Sequence, residues 1–346
     1  MSQPEKNIGG WCGLLKKKAY RFVMKILFVE TFCHWKNKIG FNLLCNENSI
    51  ESTITDDPHY FQEAYDLVLI PSTYIPCEIF PNSKVLLYGP HNFVFTHGIW
   101  KGPQENFPSH CVYNLLSDWI IKIQEEFGGM SIKPVSIPFP VDVQTFSPLH
   151  PQIEPRYDCF IYFKGRNQEL LSFAESALKT LGLRYTILRY KNHTEEGSYT
   201  EKEYLDILRS SKFGIWIGCH ESQGFALQEA LSTNIPLVVW NVKSMFDEYN
   251  RENKISYKED QRVYKLKATS VPYWDKRCGE VFYEKSEFTT KVLEMNESYR
   301  NYAPREFILE TLSPKACYQR LVDILSTIPE NPHIFPCIEE QAQHAQ

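Results

Sequence analysis

Two carboxylates, Glu221 and Glu229, stand eight residues apart in the run from His220 to Ala230, with Gly224 close to the first and an apolar stretch, Phe225 to Leu227, between them. Upstream, Phe213 to Gly218 reads as a buried strand; downstream, Asn234-Ile235-Pro236 interrupts before a second apolar run, Leu237 to Trp240. The pattern predicts strand, tight turn, helix, strand, with one acid at the turn and the other about two helical turns along. Such an arrangement sets two carboxylates at different depths of a cleft above a parallel sheet, beside helix-start amides able to hold an anion. It suits a ligand that carries both hydroxyls and phosphate. Two cations follow another predicted strand end, in Lys164-Gly165-Arg166. They are the type needed where negative charge grows on a leaving phosphate.

The elements that must position these groups alternate between strand and helix over most of the 346 residues. Strands are predicted near 24–30, 66–71, 84–88 and 111–115, a helix from Asp118 to Phe127, and a strand over 131–137. The second half restarts with a strand over 157–163, followed by helix 167–181, strand 184–189, helix 200–211 and strand 213–218. Beyond Trp240 comes an irregular section around 243–283, then helices at 285–300, 304–311 and 314–327. This alternation implies an α/β chain with a parallel, doubly wound sheet in each half. Between the halves, Pro138, Pro140, Pro148, Pro151 and Pro155 fall within eighteen residues and exclude regular structure. The division expected is an N-terminal extension (1–23), a first Rossmann-like domain (24–140), a linker (141–156), a second Rossmann-like domain (157–328) and a tail (329–346). The last helix is expected to be able to pack back on the first domain.

Composition narrows the function classes. Apolar content of 43% and charged content of 23% are those of an ordinary globular protein. A net charge of −5 lacks the basic excess of a general nucleic-acid binder. The ten cysteines include no Cys-x-x-Cys pair, so a zinc site has no local support, and reduced thiols in a cytoplasmic protein are expected. Lys16, Lys17, Lys18 and Arg21, with Trp11, Leu14, Leu15 and Phe22, leave open peripheral membrane contact through residues 11–22 beside the alternative of a solvated extension.

Several of these residues resemble a known family. Glu221-Ser-Gln-Gly-Phe-Ala-Leu-Gln-Glu229, with Ala230 and Pro236, is similar to the E-x7-E signature of retaining glycosyltransferases of the GT-B fold, the family 4-like or group 1 glycosyl transferases. Pro138-Phe-Pro-Val-Asp142 through Phe146-Ser-Pro148 resembles the linker of that superfamily, and Tyr162-Phe-Lys-Gly-Arg166 the strand end that opens its donor domain. The resemblance implies two Rossmann-like domains facing across a cleft. It implies transfer of a hexosyl-type group from a UDP- or GDP-linked sugar to a hydroxyl of a glycan, glycoconjugate or lipid-linked acceptor, with retention and without a metal or other cofactor. On that resemblance Glu229 would accept from the ribose hydroxyls and Glu221 would contact the transferred sugar. Arg166 and Lys164 would hold the diphosphate, and Ser222, Gln223, Gly224 and Phe225 would line the donor site through their backbone. His91, after the strand at 84–88, would reach donor sugar or acceptor; His34 and His97 are weaker candidates. Relatives place a lysine several residues after the arginine where this chain has Leu170, Leu171 and Ser172, and the glycine-rich first loop is poorly matched at 31–42. A catalytically silent binding module and a nucleotide-sugar epimerase of the same architecture are the alternatives.

Overall fold

The computed structural model describes residues 23–90, 107–127, 130–149, 154–190, 199–244 and 266–331. The first sheet contains β1 (Lys25–Val29), β2 (Glu51–Thr55), β3 (Tyr65–Ile70), β4 (Ser83–Tyr88), β5 (Cys111–Asn114) and β6 (Lys133–Val135), in the order β2-β1-β3-β4-β5-β6. The second contains β7 (Tyr157–Phe163), β8 (Tyr185–Arg189), β9 (Ser211–Ile217), β10 (Leu237–Trp240) and β11 (Gly279–Phe282), in the order β11-β10-β9-β7-β8. Every pairing within the two sheets is parallel. In both, the first strand lies between the second and third, so the winding reverses beside β1 in one domain and beside β7 in the other. Ligands of open parallel sheets bind in the crevice outside the strand ends at that reversal.

The helices are α1 (Trp35–Asn48), α2 (Asp118–Phe127), α3 (Gln168–Thr180), α4 (Glu201–Arg209), α5 (Phe225–Ser232), α6 (Phe288–Ser298), α7 (Pro304–Thr311) and α8 (Pro314–Leu325). Central strands are apolar on both faces, as sheets covered on both sides require: Cys159, Phe160, Ile161, Phe213 and Ile215 have no exposed surface. Gly214 interrupts β9 because there is no room for a side chain; a Cβ there would lie 2.3 Å from the Phe160 ring and 2.6 Å from Leu237. Two strands and one helix depart from the sequence expectation. Helix α1 and strand β2 are missing from the predicted alternation, because Trp35–Asn48 is rich in polar residues and Glu51–Thr55 is a largely polar edge strand. Strand β11 occupies the section expected to be irregular; its four residues are too few to show a period. Among the described residues no helix is long and apolar enough to cross a membrane.

Residues 136–149 contain neither helix nor strand, yet Ile137, Phe139, Val141, Val143 and Phe146 are all buried. Buried backbone polar groups must find partners, and two side-chain amides supply them. Asn114, at the end of β5, accepts from Ile137 N–H (2.9 Å) and donates to its carbonyl (2.9 Å). Gln223, from the second domain, accepts from Phe139 N–H (3.0 Å) and donates to its carbonyl (2.6 Å). Pro138 and Pro140 bring no N–H to satisfy. Further on, Arg305 donates to the carbonyls of Val143 and Phe146, and Arg209 to those of Thr145 and Ser147. Helix α8 packs against α1, with Asn48 donating to Pro314 O at 3.1 Å, and Arg320 reaches Ser136 O at 2.8 Å. An Asn114→Leu substitution strands both backbone groups of Ile137 and the N–H of Leu116, which Asn114 also accepts at 3.0 Å. It is expected to cost about 3 kcal/mol or more of unfolding free energy in urea titration, from roughly 1–3 kcal/mol for each buried group left unpaired.

Candidate functional site

The turn between β9 and α5 is built by both domains. Gly224 precedes α5 with φ 83° and ψ 48°, left-handed values that a side chain disfavours. A Cβ there would also approach Glu221 Cβ to 3.3 Å. From the first domain, Trp119 Nε1 donates to Glu221 O (3.1 Å) and Ser117 Oγ to Ser222 O (2.5 Å). From the second, Glu221 N–H reaches Thr269 O at 3.1 Å. No side chain caps the start of α5. The strand, turn, helix and strand expected from the spacing are all present, in β9, residues 218–224, α5 and β10.

A cleft of 450 Å³ opens above this turn, bounded by His34, Trp35 and Lys36 of the first domain and by residues 221–226 of the second. Its charges come in opposed pairs. Lys164 Nζ meets Glu221 Oε1 at 2.7 Å. Lys36 Nζ meets Glu229 Oε1 in a close contact and Glu201 Oε2 at 3.2 Å. Tyr162, Tyr190, Tyr199 and Tyr204 supply an aromatic wall, with Tyr199 OH donating to Tyr162 OH at 3.2 Å and the Lys164 ammonium 5.1 Å from the Tyr190 ring centre. Burial raises the Glu229 carboxyl to about 7; the Lys36 ammonium opposes that rise, while Glu201 and Asp142 add to it. At Lys164 burial works against the charged form, but Glu221 outweighs it and leaves the ammonium's pKa raised.

Of the residues singled out by sequence, Lys164, Glu221, Ser222, Gln223, Gly224, Phe225 and Glu229 come together on this cleft. Arg166 does not join them. Its Nη1 donates to Gly218 O (3.0 Å) and Trp240 O (3.2 Å), carbonyls just past β9 and at the end of β10. A guanidinium satisfies those strand-end acceptors. Gln223 lines the cleft, but its carboxamide is committed to Phe139. His91, His97 and the basic segment 11–22 lie outside the described residues. His34 does border the cleft, its ring parallel to Phe225 at 6.3 Å.

Lys36 and Glu201 had no sequence signal as site residues. Lys36 sits in the first turn of the unpredicted α1. Glu201 is legible only indirectly: Thr200 and Glu203 form a capping box that fixes where α4 begins. Among the described residues no three potential metal ligands converge.

The buried acid has a measurable signature. Glu229 in the folded chain holds its proton up to about pH 7, whereas an unfolded chain releases it near 4.5. Wild-type stability therefore falls as pH rises through that window, and the cost persists above it. Glu229→Gln removes the titration, so its stability relative to wild type is expected to improve between pH 4.5 and 7.5, on the order of 3 kcal/mol, in urea titrations at several pH values.

No family model matches the chain, and no curated protein matches it by sequence. Solved structures do. AviGT4, a glycosyltransferase involved in avilamycin A biosynthesis, superposes with a TM-score of 0.54 at 12% identity, covering 89% of this chain and all of that one. Sucrose-phosphate synthase from Thermosynechococcus elongatus gives a TM-score of 0.56 at 8% identity over 88% of this chain and 98% of its own. HepE from Anabaena, in complex with UDP-glucose, gives 0.50 at 12% identity over 88% and 100%. At such identities the likeness speaks for the fold: the chain has the GT-B architecture, two parallel-sheet Rossmann-like domains, that it shares with these structures.

Proposed function

We propose that this protein is a retaining, metal-independent glycosyltransferase that moves a sugar from a nucleoside diphosphate to a hydroxyl acceptor. The observation that carries this reading is the pair of carboxylates, Glu221 and Glu229, each held by a lysine along one cleft between the two sheets. Glu229, deep in the cleft, offers its oxygens to the two ribose hydroxyls, which can both donate to one carboxylate. Glu221 takes a hydroxyl of the transferred sugar. Lys164 and the amides of Gln223, Gly224 and Phe225 face the diphosphate, where charge accumulates as the glycosidic bond breaks. Arg166, whose guanidinium also ties two strand ends together, is assigned to the diphosphate, and His91 to the donor sugar or the acceptor.

Retention follows from attack on the face the diphosphate leaves. The acceptor oxygen bonds to the anomeric carbon as the carbon–oxygen bond to phosphate breaks, and the acceptor's proton passes to a phosphate oxygen. No protein nucleophile takes part in this scheme. HepE binds UDP-glucose, which makes UDP-sugars the first donors to test here, with GDP- and dTDP-sugars beside them.

Thermal shift and donor hydrolysis, measured with that panel in EDTA, test the proposal. One nucleotide class should stabilise the protein, and Glu229→Ala should weaken its binding by at least about tenfold, the cost of a charged hydrogen-bond acceptor. Proton NMR of the glycosylated product should show the donor's anomeric configuration. Absence of any nucleotide response, or a requirement for added divalent metal, would sink the reading.

A further inference from the structure

Lys36 occupies a position that electrostatics disfavours. It lies in the first turn of α1, where the helix dipole repels cations and where no acidic residue of the same turn offsets it. Its side chain is only 14% exposed. The charge compensation comes from the other domain, Glu229 Oε1 in close contact and Glu201 Oε2 at 3.2 Å, while the adjacent Trp35 ring lies 4.5 Å away and that of Phe146, in the linker, 5.4 Å. The ammonium thus rests on the carboxylate to which the proposed function assigns the ribose hydroxyls. A carboxylate oxygen that accepts from an ammonium and one that accepts from a hydroxyl compete for the same lone pairs. A nucleoside arriving at Glu229 has to share or displace this contact.

The same nucleoside brings phosphate groups with it. Among the described residues, the other cation lining the cleft is Lys164, which is engaged with Glu221. A diphosphate therefore enters a site whose lysines are already matched by acids, and it needs positive charge. Lys36 is the cation that ribose binding releases, on a four-carbon stem that can swing.

We infer that Lys36 is a donor-binding residue supplied by the first domain, which pairs with Glu229 in this structure and transfers to the donor's phosphate when the ribose hydroxyls take that carboxylate. The inference rests on the nucleotide-sugar reading of the cleft. It adds a phosphate contact at a position where the family resemblance offered only an unmatched glycine-rich loop, and it makes the donor a bridge between the domains.

Isothermal titration of wild type, Lys36→Met and Lys36→Arg with UDP and uridine, with GDP and guanosine, and with dTDP and thymidine, tests it. Methionine keeps the stem's length and bulk while removing the charge. Lys36→Met is expected to lose at least about tenfold in affinity for the diphosphate while holding or gaining affinity for the nucleoside, and Lys36→Arg to retain diphosphate binding. Equal losses for both ligands would mean that Lys36 only supports the fold, and no loss for either would mean that it does not meet the phosphate; each overturns the inference while leaving the donor site in place. Wild type that binds no diphosphate would overturn the nucleotide-sugar reading and this inference together. Circular dichroism melting of each variant confirms that folded protein is compared.

Discussion

Gln223 sends its carboxamide into a fully buried position, where it meets the N–H and C=O of Phe139 as well as Gln228. Backbone groups removed from water must be paired, and at this point of the chain no strand or helix is available to pair them. The demand is met by the residue two after Glu221, so the turn that presents the first acid is also the clasp on the crossing between domains. The position of Glu221, the direction in which α5 leaves and the depth of Glu229 all follow from this shared anchor. Ser117 and Trp119 complete it from the other side by holding the carbonyls of Ser222 and Glu221.

Around that anchor the site's electrostatics have a consistent logic. Each acid is matched by a lysine from a different part of the molecule, Lys164 from the end of β7 and Lys36 from the start of α1. The two pairs differ in environment. Glu221 keeps some solvent, whereas Glu229 is so enclosed that burial raises its proton affinity despite the neighbouring ammonium. A ligand that donates hydrogen bonds to the deep acid and carries negative charge past the lysines would complement both.

Much of this was legible in the amino-acid sequence, and unevenly so. The second sheet announces itself because Tyr157–Phe163, Ser211–Ile217 and Leu237–Trp240 are buried on both faces and read as short apolar runs between turn residues. The spacing of Glu221 and Glu229 was readable because a turn and a helix of known pitch separate them, and the structure places both on one cleft. Helix α1 was silent, since Trp35–Asn48 alternates polar and apolar residues without a clear stripe, and it took Lys36 with it. Arg166 follows a strand end as read, but no local pattern reveals that the carbonyls of Gly218 and Trp240 lie within reach of its guanidinium. Gln223 lines the cleft, but the partner of its carboxamide, Phe139, lies 84 residues away in the chain and gives no local signal.

The clasped strap also sets where mechanical freedom can reside. Ile137 is fixed to the first domain by Asn114 and Phe139 to the second by Gln223, leaving Pro138 alone between them, with its φ locked by the ring. The chain returns near Leu312, whose carbonyl accepts from Val141 N–H at 3.0 Å, so the two crossings lie side by side. The covalent connection between the sheets thus behaves as a narrow joint, with a handful of torsions at one place in the molecule, and the geometry of the cleft depends on the angle set there.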